Sequence, residues 1–282
     1  MVRTWLARRR LALLAMIAVA VVSTFAFIFG GSGAASRASD VLVPFSATSV
    51  DGVHCPTVAS SRTTPATMPE SGFRALARLS RVETAQQLSP PSSAMNSMAD
   101  AAVVHMPLVA RDALMSQLRR AARTSCGLRT VKSAEAAGYY LASPYVDGVG
   151  THWINWSYVD RPFDPARPSM LLFRTAAGVT QLAGFSYWVR SAAPPSGFSG
   201  PADHWHRHSG LCFVDGQWVG EEYARSGCRG VWLNGGDLWM LHAWVVPGNE
   251  NPAGIFAPRS SQLCRPHTPD IDACPGRGRP GT

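Results

Sequence analysis

Lysine is almost missing from this sequence: Lys132 is the single example among 26 basic residues. No basic helix and no basic patch interleaved with aromatics is present, which argues against a nucleic-acid partner. The net charge of +8 adds little to that case, since Arg3, Arg8, Arg9 and Arg10 supply half of it ahead of an apolar run. Charged residues make up only 16% of the chain against 46% hydrophobic, which excludes a chain disordered throughout. No two cysteines form a C-x-x-C pair, so a zinc ribbon or a thioredoxin-like site is excluded. There is also no internal repeat, and with it no solenoid or propeller.

What the chain does contain begins with an uncharged run from Leu11 to Phe29. As a helix it would span about 28 Å, close to one hydrocarbon core. The arginines before it mark the cytoplasmic side, so the remainder is expected outside the cytoplasm. The run reads as a retained single-pass anchor in the cell membrane. Ser32-Gly33-Ala34 offers the small residues of a signal-peptidase site, and cleavage there would make the protein secreted. Arg8-Arg9-Arg10-Leu11 also has the look of a twin-arginine export signal. The organisation expected is a basic cytoplasmic tip (1–10), the anchor or signal (11–29), a flexible stalk (30–66), a helical segment (67–137), a β-rich domain (138–264) and a disordered tail (265–282).

Within the helical segment, Phe73, Leu76, Leu79 and Val82 have the spacing of a short amphipathic helix. A second helix is expected from near Pro107, with Leu114, Leu118, Ala121 and Ala122 as its apolar stripe. Thr130 has the chemistry of an N-cap, and Gly138 that of a C′ residue, for a helix between them. From Tyr139 onward, aromatic and β-branched runs are broken every 8–15 residues by Gly, Pro or Asp. Strands are expected at Thr151–Tyr158, Ser169–Arg174, Gln181–Val189, His204–Val214, Gln217–Val219 and Leu238–Val246, with Asp215-Gly216 as a hairpin turn. The fold class is therefore α+β: short helices, then a mainly antiparallel β-barrel or sandwich.

The six cysteines permit up to three disulfides and 15 pairings. Cys212–Cys228 across a hairpin and Cys264–Cys274 near the tail are the candidate pairs, with free buried thiols as the alternative.

Asp203-His204-Trp205-His206-Arg207-His208 holds three of the eight histidines. In an extended run these imidazoles share one face, with Trp205 and Arg207 on the other. Neutral imidazole suits zinc, copper, iron and nickel, so a divalent transition metal is the cofactor this pattern suggests. Adjacent same-face positions lie about 6.5–7 Å apart, which favours two ligands from the run over three. His206 and His208 are the pair expected, with His242 and His152 completing the set from elsewhere. Asp203, His204, Asn155 and Glu221 are expected at the rim or behind the ligands, Asp203 orienting a ring through its second nitrogen. The competing reading is a non-catalytic envelope module of binding or structural role. In it Trp153, Trp156, Trp188, Trp205, Trp218, Trp232, Trp239 and Trp244 would line a groove for an unidentified small-molecule or envelope ligand.

Two family patterns bear on this stretch. The first cupin motif, G-x5-H-x-H-x3,4-E-x6-G, resembles the chain at Gly200, His206 and His208. It departs where Cys212 and Phe213 stand in place of the acid, and Val246 stands in place of the Asn of the second motif. Gly138-Tyr139, Pro144 to Asn155, Phe163-Asp164-Pro165, Asp203 to His208, Leu241-His242-Ala243-Trp244 and Asn251-Pro252-Ala253-Gly254-Ile255-Phe256 together resemble an uncharacterised family of exported bacterial proteins. That resemblance implies an acid at the position of Ser186 in relatives, and implies no particular activity.

Overall fold

The computed structural model describes residues 41–58, 66–82, 103–159, 161–176, 178–208, 210–220, 224–265 and 274. The expected anchor at 11–29 and the final tail, apart from Cys274, lie outside them. Among the described residues no helix is long and apolar enough to cross a membrane.

Among the described residues, three antiparallel sheets and three α-helices make an α+β fold. The central sheet has five strands in the order β10-β6-β5-β4-β3: β3 (Tyr140–Leu141), β4 (Thr151–Ile154), β5 (Met170–Ala176), β6 (Val179–Arg190) and β10 (Leu238–Ala243). A three-stranded sheet has β7 (Leu211–Val214) between β8 (Gln217–Gly220) and β9 (Val231–Leu233). A two-stranded ribbon joins β1 (Leu42–Phe45) to β2 (Val104–Pro107). The described sheets do not close into a barrel; the central sheet is instead covered on both faces. That is why β6 and β10 read as almost unbroken apolar runs rather than alternating ones.

The helices follow local sequence rules. Helix α1 (Glu70–Val82) presents Leu76 to the core, while Phe73 stays 39% exposed. Helix α2 (Leu108–Cys126) buries Leu114, Leu118, Ala121 and Ala122, the stripe its spacing requires. Helix α3 (Val131–Ala136) starts at a capping box in which Thr130 and Ser133 bond reciprocally, and Gly138 follows it with φ of 83°.

One face of the central sheet, with Trp153, Leu171, Phe173, Phe185, Tyr187, Leu241 and Ala243, packs against α2 and the ribbon residues Phe45 and Met106. The other face, with Ile154, Met170, Trp188, Leu238 and Met240, packs against Leu211, Phe213 and Leu233 of the small sheet and Met68 and Leu76 beside or on α1. Phe213 bridges the two sheets, its ring 5.7 Å from Trp156 and 6.5 Å from Trp188.

The structure differs from the sequence expectation at two further places. Strand β1 lies inside the stretch whose composition suggests a stalk, tied down by its pairing with β2. The run expected as His204–Val214 becomes a strand only at Leu211; residues 204–208 lie along the edge of β10, held by the bridge His206↔Met240. Three disulfides form, Cys55–Cys126, Cys212–Cys228 and Cys264–Cys274, with no free cysteine among the described residues. Such usage points to an oxidising compartment. Asp215 and Gly216, with φ of 50° and 74°, make the turn between β7 and β8.

Gly184 on β6 leaves room for an indole. A Cβ there would sit 2.7 Å from the Trp244 ring, whose Nε1 donates to the Ala257 carbonyl at 2.7 Å. Gly184→Ala is expected to lower stability by about 1–3 kcal/mol through overpacking; an unchanged urea midpoint would show that the ring moves at no cost.

Candidate metal centre

The centre is built on the face of the central sheet that meets the small sheet. Paired residues across antiparallel strands share a face, so register alone aligns its parts. His242 on β10 lies opposite Ser186 on β6, which lies opposite Met170 on β5. In the neighbouring row His206 bridges to Met240, which lies opposite Trp188. On the other side His152 of β4 lies opposite Leu172, and Leu172 opposite Gly184.

Three inter-strand spacings of about 4.8 Å separate β10 from β4, roughly 14 Å in all. The His152 and His242 rings nevertheless approach to 6.3 Å between centroids. His206 lies 5.6 Å from His242 and 5.2 Å from His208, both pairs nearly edge to face. Gly235 lies against the His208 carbonyl, where a Cβ would overlap the oxygen.

All four imidazoles are shut off from solvent: His152 is 4% exposed, His206 2%, His208 3% and His242 2%. Their proton positions follow from their partners. His242 Nδ1 is 2.7 Å from the Pro258 carbonyl, which can only accept, so Nδ1 carries the hydrogen and Nε2 the lone pair. His206 Nδ1 makes a longer contact of the same kind, 3.5 Å, with the His204 carbonyl. His152 Nδ1 lies 2.9 Å from Ser143 Oγ. That hydroxyl donates to the Pro144 carbonyl and accepts the His152 amide, so it is disposed to accept from the ring as well. In three rings, therefore, Nδ1 is tied to oxygen and Nε2 is left basic, the arrangement in which a second partner orients a metal-binding histidine. His206 Nε2 and Ser186 Oγ are buried and have no hydrogen-bond partner among the described residues. A buried polar atom left so costs on the order of 1–3 kcal/mol.

Burial holds two of the rings, His152 and His206, in the neutral form. The pKa of His152 falls to about 3, through loss of hydration first and then repulsion from His242 and His208. That of His206 falls well below its ordinary value for the same reasons in the same order. Neutral imidazole is the form that ligates metal.

Other residues expected at the site go elsewhere. His204 is only half-buried, with its pKa lowered by burial. Asp203 orients no imidazole: its carboxylate accepts from Trp205 Nε1 at 2.9 Å and from the Phe198 amide at 3.0 Å, on the side away from the rings. Alternation explains this, since Trp205 stacks into the α2-side core near Phe163 and draws Asp203 with it. Asn155 is not a wall of the site. It donates to the Ala137 carbonyl at the end of α3 and accepts from the amide and hydroxyl of Ser157. Glu221 lies outside the described residues.

Two residues beside the rings carried no sequence signal of their own, Ser143 and Met170, while Met240 stands two residues before His242 and shares its face. A small cavity of about 20 Å³ adjoins the rings, lined by His152, Met170 and Met240 together with Ile154, Trp188 and Trp218 among others. The Trp218 ring stands edge-on to His152 at 5.2 Å. Among the described residues no group of three or more His, Cys, Asp or Glu side chains is placed so that it could hold a metal ion. No family model, no curated protein and no solved structure matches the chain.

Proposed function

We propose that this chain is a membrane-anchored, extracytoplasmic protein that binds one divalent transition metal through His152, His206, His208 and His242. The observation that carries the reading is a run of four buried rings, His208 to His206 to His242 to His152, with successive centroids 5.2, 5.6 and 6.3 Å apart, and a buried nitrogen, His206 Nε2, with no hydrogen-bond partner among the described residues. A tetrahedral ion bound at about 2.0–2.1 Å from each nitrogen would set ring centroids about 5.2 Å apart. Of the six separations that four such ligands define, those of 5.2 and 5.6 Å fit, and the 6.3 Å between His152 and His242 asks for an inward shift of about 1 Å on binding. Full burial leaves no solvent-open position, which supports a held metal over a catalytic one.

The alternative of a tryptophan-lined groove draws less support. Among the described tryptophans Trp153, Trp156, Trp188, Trp239 and Trp244 are buried and Trp205, Trp218 and Trp232 half-buried, so they form no exposed row.

Elemental analysis of the purified full chain at neutral pH, before and after dialysis against zinc, copper and nickel salts, tests the proposal. One equivalent is expected, and His206→Gln is expected to weaken binding by on the order of 100-fold or more while the near-ultraviolet dichroism of the fold persists. A chain that stays metal-free with every salt ends the reading.

A further inference from the structure

The motif Phe163-Asp164-Pro165 takes no part in the histidine centre and builds a second feature on the opposite face of the central sheet. Phe163 packs against Tyr187, Phe198 and Trp205, with ring centroids 5.0, 4.9 and 5.9 Å away. The Pro165 and Pro168 carbonyls accept from the hydroxyls of Tyr187 and Tyr139 at 2.8 and 2.7 Å. Asp164 Oδ1 accepts from the Ala166 amide at 2.9 Å, and the Arg167 amide donates to the Asp164 carbonyl at 2.9 Å. The loop is thus pinned to the sheet by two tyrosines and closed on itself by an Asx turn, which makes it a fixed wall.

Between that wall and the exposed side of α2 lies a cleft of about 660 Å³, within the ordinary range for small-ligand sites. Three arginines line it, Arg120 from α2 and Arg161 and Arg167 from the loop. Asp164 sets two of them: its carboxylate accepts from Arg120 Nη2 at 2.6 Å and lies 3.7 Å from Arg167 Nε. Exposed pairs of this kind add little stability; what they supply here is the placement of the guanidiniums. Each guanidinium has five N–H donors. Hydrogen bonds among the described residues engage one on Arg120 and one on Arg161, the latter from Nε to the Ser157 carbonyl at 3.4 Å. Nor do the charges cancel. Asp160 lies outside the described residues, and even at full charge beside Asp164 it leaves the three arginines in excess.

From these placements we infer that the cleft binds the phosphate group of a phosphomonoester. Guanidinium forks match phosphate oxygens two at a time. A carboxylate offers two oxygens and one charge, whereas a phosphomonoester offers three oxygens and nearly two charges at neutral pH. Three guanidiniums converging on one cleft match the second. Tyr158 and Ser157 add hydroxyls to the same wall.

Calorimetric titration of the full chain with phenyl phosphate in low salt tests this. One equivalent is expected to bind, on the order of 10-fold more tightly than benzoate, and to weaken as salt is added. Arg161→Gln/Arg167→Gln is expected to weaken binding by 10-fold or more, on the order of what lost charge-assisted hydrogen bonds cost. Both side chains are exposed, so circular dichroism should show the fold unchanged. The control Arg74→Gln/Arg229→Gln removes the same charge from exposed positions on other elements and should bind as the wild type does. Dihexanoyl phosphatidic acid, used below its micelle concentration, separates the sources of the ester. Tighter binding than phenyl phosphate assigns a lipid headgroup, and equal or weaker binding a soluble compound. No binding of phenyl phosphate, benzoate bound equally well, or a loop double variant that binds like the wild type overturns the inference. The histidine centre lies on the other face of the sheet, so either reading can fail alone.

Discussion

Replacing Cys55 and Cys126 together by alanine is expected to lower the stability of the folded chain by about 4 kcal/mol, the largest loss among the three disulfides. The reason is loop length. Cys55–Cys126 closes 71 residues of sequence separation, against 16 for Cys212–Cys228 and 10 for Cys264–Cys274. A cross-link removes more freedom from the unfolded chain as its loop grows, so the same calculation gives about 3.1 and 2.7 kcal/mol for the shorter two. The native structure supplies a second reason. Residues 41–58 meet the core through Phe45, Val50 and Val53 and through the four-residue strand β1, and the bond to the last turn of α2 holds that limited contact in place. Urea denaturation of the double variant, compared with Cys264→Ala/Cys274→Ala, checks the ordering. If the short tail loop proves the costlier loss, chain entropy is not what these bonds supply.

How much of this was legible beforehand depends on the reach of each signal. The stripe Leu114, Leu118, Ala121, Ala122 and the cap at Thr130 could be read because helix periodicity and capping are settled within a few residues. The turn at Asp215-Gly216 could be read for the same reason. Strand β1 could not: its four residues sit in a Ser- and Ala-rich stretch, and the partner that makes them a strand begins at Val104. Barrel closure was equally out of reach, because it depends on whether two distant edges meet, and here α2, the ribbon and the small sheet cover the central faces instead. At the candidate centre, the histidine spacing placed His206 and His208 on one face of an expected strand; the structure buries both, 5.2 Å apart, though the strand itself starts only at Leu211. The direction of Asp203 was decided by Trp205 and Phe198, and that of Asn155 by the end of α3, which are tertiary facts with no local trace. Met240 had a signal that went unused, since it stands two residues before His242 and therefore on the same face.

Acid is expected to unfold the metal-free protein steeply below about pH 6.5, well before ordinary carboxylates titrate. His152 and His206 have pKa values lowered in the fold, to about 3 for His152. The unfolded chain takes up a proton at each near pH 6.5 while the folded chain does not, so their contribution to stability is fully present above that pH and is lost as the pH falls. Two such groups give a slope of about 2.7 kcal/mol per pH unit. Asp203 opposes them. Burial raises its pKa to about 6, so the folded state holds its proton where the unfolded one does not, and stability is gained as the pH falls from about 6 towards the ordinary carboxylate value. Its carboxylate is only part-buried, and solvent screening trims its share. The net slope between pH 6 and 4 should therefore lie between about 1.4 and 2.7 kcal/mol per unit, and Asp203→Asn should steepen it. Urea midpoints at pH 7.5, 6.0 and 5.0 on chelator-treated protein measure this directly. A flat profile across that range would mean that His152 and His206 take up protons inside the fold, against the burial that lowers both pKa values.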